Sequence, residues 1–252
     1  MIGPFKLAAI SDIHGNFAAL KAVLADAEKR GITHIANLGD SLYGPLEPSR
    51  TADLLIECKI KSICGNEDRI LLFPPEDTSD LPSLAFALRS LTSDHKAWLA
   101  SLPPTLEAFD CCFLCHGTPS RDNRYFLSEV TPSSVRLRAT KELQKEASHI
   151  GKPIILCGHD HTPNVCRLPD GRLVVNPGSV GLQAYVDYFP WPHVMQTGSP
   201  HARYAVIQRS ANSWDASIVK VPYDWMDAAG LATANGRPDW AVWLRTGRAI
   251  SN

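Results

Sequence analysis

This chain lacks nearly everything that would place it on a membrane or a nucleic acid. Its 25 Lys and Arg are balanced by 26 Asp and Glu, for a formal net charge of −1 over 252 residues. That balance argues against the basic stripe that grips a nucleic-acid duplex and the cationic face that binds an anionic bilayer. No apolar run approaches the roughly 18 residues of a membrane span. The stretch Met1 to Ile10 holds a single Lys and no cleavage pattern, so it reads as a short strand and not as a signal peptide. A cytoplasmic protein is expected. Cysteine forms no framework: seven is an odd number, and Cys58, Cys64, Cys111, Cys112, Cys115 and Cys157 lie in or beside apolar segments, as thiols in a reducing compartment do. Cys111, Cys112 and Cys115 have no second matching pair for a structural zinc.

What is present is an ordinary α/β composition, with 44% hydrophobic and 20% charged residues. The length suits one large domain over 1–252, with a helical tail from about residue 224 packed on it. Lys6 to Ile10 reads as a strand, and apolar residues at Phe17, Leu20, Val23, Leu24 and Ala27 predict a helix to Arg30. The plan repeats with a strand over His34 to Leu38 and a helix over Pro48 to Cys58, then a strand over Ser62 to Cys64 ending in a loop, Gly65 to Arg69. Helices in two pieces follow over Leu81 to Ala100, broken near Ser90 to Ser93, then paired strands at Leu106 to Phe109 and Cys112 to Cys115. Ser133 to Ser148 is expected to be a helix with a solvated, charged face. Pro153 to Cys157 is a buried strand, and two antiparallel pairs follow: Asn164 to Leu168 with Arg172 to Val175, and Ala202 to Gln208 with Ser217 to Val221 around Asn212-Ser213. The tail from Asp224 to Arg248 is helical, with Trp225, Trp240 and Trp243 expected to anchor it on the sheet.

The informative residues sit just past the strands. The run Pro153 to Cys157 ends in Gly158-His159-Asp160-His161, and Asp12, His14, Asp40, Asn66 and His116 also follow strands. Open α/β sheets bind ligands at that edge. All seven donors are O or N and none is Cys, a set suited to two divalent ions of intermediate hardness such as Mn, Fe or Zn. A carboxylate can bridge two ions, and Asp40 is the candidate for that place.

In sequence order, Asp12-x-His14, Gly39-Asp40, Gly65-Asn66, His116-Gly117 and Gly158-His159-x-His161 resemble the calcineurin-like metallophosphoesterases from about residue 6 to residue 222. Asn176-Pro177-Gly178-Ser179, the segment Asp40 to Pro45 and the Trp-rich tail resemble the small bacterial and archaeal phosphodiesterase branch. The resemblance implies an α/β fold: a four-layer αββα sandwich of two mixed sheets with outer helices. It places Asp12, His14, Asp40 and His161 on one metal ion and Asp40, Asn66, His116 and His159 on the other. It also implies attack on phosphorus by a hydroxide shared between the ions, with Asp40, Asn66 and Glu67 closest to the chemistry.

The chain departs from the family at Glu67, where many members carry a His. A carboxylate beside two cations is a poor proton donor, so good leaving groups, in activated phosphodiesters or phosphoanhydrides, are expected. His193 or His201 folding inward is the alternative. Arg69, Arg121 and Arg124 are candidate phosphate partners. The aromatic segment Gln183 to Pro200 either stacks a nucleobase or packs on its own domain. The expected partner is a small phosphorylated substrate, nucleotide-like compounds included, with no nucleic-acid duplex, no membrane and oligomeric state open. The competing readings are a nuclease, a protein Ser/Thr phosphatase and a non-catalytic scaffold of the same fold.

Overall fold

Three strands and two helices alternate as expected: β1 (Lys6–Ile10), α1 (Phe17–Lys29), β2 (His34–Asn37), α2 (Pro48–Glu57) and β3 (Lys61–Ser62). The structure is a computed structural model and describes residues 5–210 and 213–249. Most of the expected turn at Asn212 and the first four residues lie outside that range. α1 starts where the Asn16 side chain accepts from Ala19 N (3.1 Å), and its buried face is Ala19, Leu20, Val23 and Ala27, the predicted helical spacing. Pro48 opens α2, where a missing N–H costs nothing.

The chain continues with α3 (Asn66–Leu72), α4 (Pro82–Ser90), α5 (Ser93–Ala100), β4 (Thr105–Ala108), β5 (Cys112–Cys115), β6 (Ser128–Val130), β7 (Val135–Leu137) and α6 (Thr140–Glu146). Then come β8 (Ile154–Leu156), β9 (Asn164–Arg167), β10 (Leu173–Asn176), β11 (Ala184–Asp187), β12 (His193–Gln196), β13 (Ala202–Arg209), β14 (Trp214–Val221), α7 (Trp225–Ala234) and α8 (Pro238–Thr246).

Two expectations need correcting. The expected helix over Ser133 to Ser148 begins only at Thr140, and Val135–Leu137 is a strand paired with β6, where Glu129 faces Arg136 at 2.8 Å. Alternating apolar and basic residues there satisfy strand spacing as well as helical spacing. The expected loop Gly65 to Arg69 is instead the entry to α3, whose Asp68 carboxylate accepts from Gly65 N (3.1 Å).

One five-stranded sheet runs β14-β13-β1-β2-β3 and the other β4-β5-β8-β10-β9. In each, three neighbouring strands are parallel and the rest antiparallel. Period-2 alternation assigns the faces. Leu7, Ala9, Ala36 and Ile207 of the first sheet meet Leu114, Ile154, Leu156 and Val175 of the second. Ala8, Ile10 and Tyr204 face α1, α2, α4 and α5 on one outside, while Ile155, Cys157 and Val174 face Leu143 of α6 on the other. The fold is therefore the αββα sandwich. Each buried Leu or Ile of the seam contributes about 1.5–3 kcal/mol, which holds the loops past β1, β2, β3, β5 and β8 at a common edge. No helix among the described residues is long and apolar enough to cross a membrane.

The tail packs differently from expectation. Trp240 is buried with Ala241, Leu244, Ala228 and Ala232 against Leu46 and Leu182, so the tail covers the loop edge and not a sheet face.

Candidate metal centre

The loops after the parallel strands are joined by backbone hydrogen bonds beyond the sheets. Asp12 N donates to Gly39 O (3.0 Å), His14 N to Asp40 O (3.0 Å), Gly158 N to His116 O (2.7 Å) and Val180 N to Ser11 O (2.9 Å). Five of the seven candidate donors, Asp12, His14, Asp40, His159 and His161, have left-handed backbones with φ between 52° and 71°. Each costs about 1–2 kcal/mol for a residue with a Cβ. Strain of this kind concentrates at functional sites. The close approach of the loops also demands glycine: a Cβ on Gly65 would collide with the Asp40 carboxylate, and one on Gly158 with Ser11 Oγ.

The segment Asn176-Pro177-Gly178-Ser179 ties these turns together. Asn176 Nδ2 donates to Gly158 O (2.9 Å) and Asp160 Oδ1 (2.8 Å), and Ser179 Oγ donates to Asp12 O (2.7 Å). Asp160, between the two histidines, is buried and also accepts from Ser128 Oγ (2.7 Å) and Thr162 N (2.9 Å). Burial lifts its carboxyl to about 7 against these hydrogen bonds.

Three imidazoles are oriented from behind by carbonyl oxygens, which can only accept. Nδ1 of His14 donates to Tyr43 O (3.1 Å), that of His116 to Leu38 O (2.7 Å) and that of His161 to Leu182 O (2.7 Å). The lone pair of each neutral ring is then on Nε2, and all three Nε2 atoms point into one space. The His14 and His161 Nε2 atoms lie 3.0 Å apart. His116 Nε2 lies 3.0 Å from Asp40 Oδ2 and 3.9 Å from Asp12 Oδ1, without hydrogen-bond geometry. Asp12 is fixed by His159 N donating to Oδ2 (3.2 Å), and Asp40 by Glu67 N donating to Oδ1 (2.8 Å).

The structure thus gathers Asp12, His14 and His161 in one cluster and Asp40, His116 and His159 in a second, with a third of His14, Asp40 and Glu67 overlapping them. Among the described residues, Asp12 Oδ1, Asn66 Oδ1, Glu67 Oε2 and His116 Nε2 are buried without a hydrogen-bond partner. Buried polar atoms are rarely left so, and a divalent cation is what this convergence of N and O donors fits.

The charges agree. Burial would depress His14 and His116, yet Glu67 beside the first and Asp40 beside the second hold them up at about 9 and about 10. Burial keeps His159 down at about 4 and lowers His161 despite Asp12. Asp12 and Asp40 are pulled below the usual carboxylate range, burial notwithstanding, chiefly by His161 and His116 respectively. Burial raises Glu67 even though His14 opposes it.

The remaining candidates lie around the cluster at different removes. Arg69 is engaged by Asp122 through two hydrogen bonds (2.7 and 3.1 Å), and Arg121 shares its recess beside His116. Arg124 lines a separate groove of about 1080 Å³ that reaches Asn66 and His159. His201 bonds Ser199 Oγ (2.8 Å) against Trp225, away from the cluster. His193 Nε2 accepts from Tyr125 Oη (2.9 Å), whose ring lies 5.0 Å from that of His159, so His193 stands one side chain behind. The aromatic segment forms the hairpin β11–β12: Tyr185 lies against His161 at 4.6 Å, while Tyr188 and Phe189 at the tip are 75% and 79% exposed. The pocket over the cluster is also walled by Tyr43, Leu81, Trp240 and Trp243, which the strand-end pattern does not reveal.

A family model described as the calcineurin-like phosphoesterase superfamily domain matches residues 5–189. The chain belongs to that superfamily. It is 24% identical to an uncharacterised protein of Methanocaldococcus jannaschii over 243 residues, covering 93% of this chain and 94% of the relative. In fold it is similar to a metallophosphoesterase from Sphaerobacter thermophilus (TM-score 0.73, 23% identity, 95% of this chain and 98% of the other). It is also similar to a hypothetical protein from Pyrococcus horikoshii (TM-score 0.74, 18% identity, 98% and 100%).

Proposed function

We propose that this protein is a divalent-metal-dependent phosphoesterase that hydrolyses a phosphodiester or phosphoanhydride of a small molecule. The observation that carries the reading is the set of three imidazoles anchored at Nδ1, their Nε2 atoms converging with the Asp12 and Asp40 carboxylates where Asp12 Oδ1 and His116 Nε2 are buried without a hydrogen-bond partner. In this reading Asp12, His14, Asp40 and His161 hold one ion, and Asp40, Asn66, His116 and His159 the other, with Asp40 shared. The donor set suits Mn, Fe or Zn. Such ions would lower the pKa of a water towards ~7 and offset charge on the phosphoryl oxygens.

The chain's own residues do the rest. Carbonyls of Leu38, Tyr43 and Leu182 fix the tautomers, which raises the basicity of the facing nitrogens. The backbone N–H groups of Glu67 and His159 hold the carboxylates in place. Near-complete burial of Asp12, Asp40 and His116 keeps water from screening these charges. Seven unpaired thiols, four of them buried, support a reducing, cytoplasmic setting.

The test is to strip the protein with chelator, restore it with Mn²⁺, Fe²⁺ or Zn²⁺, and assay aryl phosphodiesters, phosphoanhydrides, alkyl monoesters and DNA. Turnover of the first two that returns with metal and is lost in Asp40→Asn supports the reading. No turnover with any ion sinks it.

A further inference from the structure

Three recesses reach the cluster, and they differ in chemistry; in the one beside His116, Asp122 already engages Arg69 through two hydrogen bonds. The groove on the Arg124 side carries four cationic and four carboxylate side chains, and Glu146 lies near both Arg124 (3.7 Å) and Arg138 (2.7 Å). Its charge is cancelled, so it offers no net attraction to further phosphates. The third recess, of about 440 Å³, is walled by Tyr43, Leu81, Leu182, Tyr185, Val186 and Trp243 beside the candidate metal donors. Pockets of about 300–1,000 Å³ hold whole small-molecule ligands, so this space takes more than a phosphate group.

We infer that this recess binds a flat aromatic substituent of the phosphoester, a nucleobase or phenyl ring, and that α8 supplies the surface it stacks on. The inference rests on the phosphoesterase reading and adds the substrate class to it. α8 lies beyond the matched residues 5–189. Trp240 is buried with its ring edge-on to His14 at 5.8 Å, so it backs the wall. Trp243, 6.4 Å from Trp240 and tilted 35°, is the half-buried ring that borders the open space. The wall is held rigidly. Asn235 Nδ2 donates to Pro45 O (2.6 Å), and Arg237 is gripped by Asp239 (2.9 and 2.6 Å) and also donates to Ser83 Oγ on α4. Its guanidinium sits 5.2 and 5.9 Å from the Trp240 and Trp243 ring centres. With Arg237 neutralised by Asp239, the recess away from Asp40 and Glu67 at its floor is aromatic and apolar apart from the acidic Asp187, and selects a ring over a second anion.

The test is equilibrium binding to the manganese-loaded full chain of two monoesters of equal charge, adenosine 5′-monophosphate and ethyl phosphate. It needs no turnover, so it stands apart from the failure of the catalytic reading. Stacking on one aromatic face is worth roughly tenfold or more in affinity. The expected result is that the nucleotide binds at least about tenfold more tightly than ethyl phosphate. The ratio should fall towards one in Trp243→Ala and drop in Leu81→Ala, but survive in Trp243→Phe. Leu81 is 38% exposed on a separate element, so its truncation leaves the fold intact should Trp243→Ala unfold. Equal binding of the two monoesters by the wild type overturns the inference, as does a ratio unchanged in both alanine variants.

Discussion

Loading metal-free protein with Mn²⁺ at pH 8 should release about two protons from its imidazoles, and about one more from a metal-held water whose pKa falls towards ~7. His14 and His116 each carry a second ring proton, because Glu67 beside the first and Asp40 beside the second hold their imidazoles up at about 9 and about 10. At pH 8 these rings are roughly 90% and 99% protonated. His159, held at about 4, and His161, lowered by burial, are already neutral and contribute none. Asp160, raised to about 7, is roughly nine-tenths ionised at pH 8 and adds only about a tenth of a proton. A cation seated on the Nε2 atoms must displace both protons, since ligands bind deprotonated. The apparent affinity should therefore rise at least about a hundredfold per pH unit between pH 7 and 8.5, then less steeply through 9 to 10 as the rings lose their protons unaided. Titration calorimetry in buffers of different ionisation enthalpy reads the proton number directly. A number near zero at pH 8 with tight binding would mean that the cation does not sit on these nitrogens. A number near five would mean that burial does not keep His159 and His161 neutral.

The same shifts give a stability profile: metal-free protein should be most stable below pH 7 and lose stability as the pH rises through about 9 and 10, because folding raises His14 and His116 above the unfolded imidazole value. Melting temperatures across pH would show this decline, and it should be absent in the metal-loaded protein. Ser179→Ala removes the hydrogen bond to Asp12 O and should weaken metal binding about 10–100-fold, read by competition with a chromophoric chelator. Gly158→Ala drives a Cβ into Ser11 Oγ and should cost about 1–3 kcal/mol in urea denaturation. Glu67→His places an imidazole where this chain has a half-buried acid, and it should raise alkyl relative to aryl phosphate turnover by roughly 10²-fold or more if proton donation to the leaving group is what the wild type lacks.

What could be read from the residues and what could not divide along a physical line. Asp12, His14, Asp40, His116, His159 and His161 were legible because each directly follows a strand, and parallel strands deliver their ends to one edge whatever the helices do. The place of Val135–Leu137 was not legible, since three residues of alternating character, none of them buried, carry the same pattern in a strand as on a helix surface. Nor was the role of the tail: a tryptophan on an amphipathic helix looks alike whether it faces a sheet or a cleft. What decides is a tertiary contact over a long separation, Asn235 to Pro45 and Arg237 to Ser83, which turns α8 over the loop edge. The two kinds of information also evolve under different constraints. Left-handed Asp12, His14, Asp40, His159 and His161 must each keep a strained backbone and a donor atom together, so their positions tolerate little change. Trp243 and Leu81 need only present a flat or apolar face to the space beside them. On this argument the chemistry resides in the strand ends and the choice of substrate in the cover, and changes to α8 should alter what is bound before they alter whether a phosphoester is cleaved.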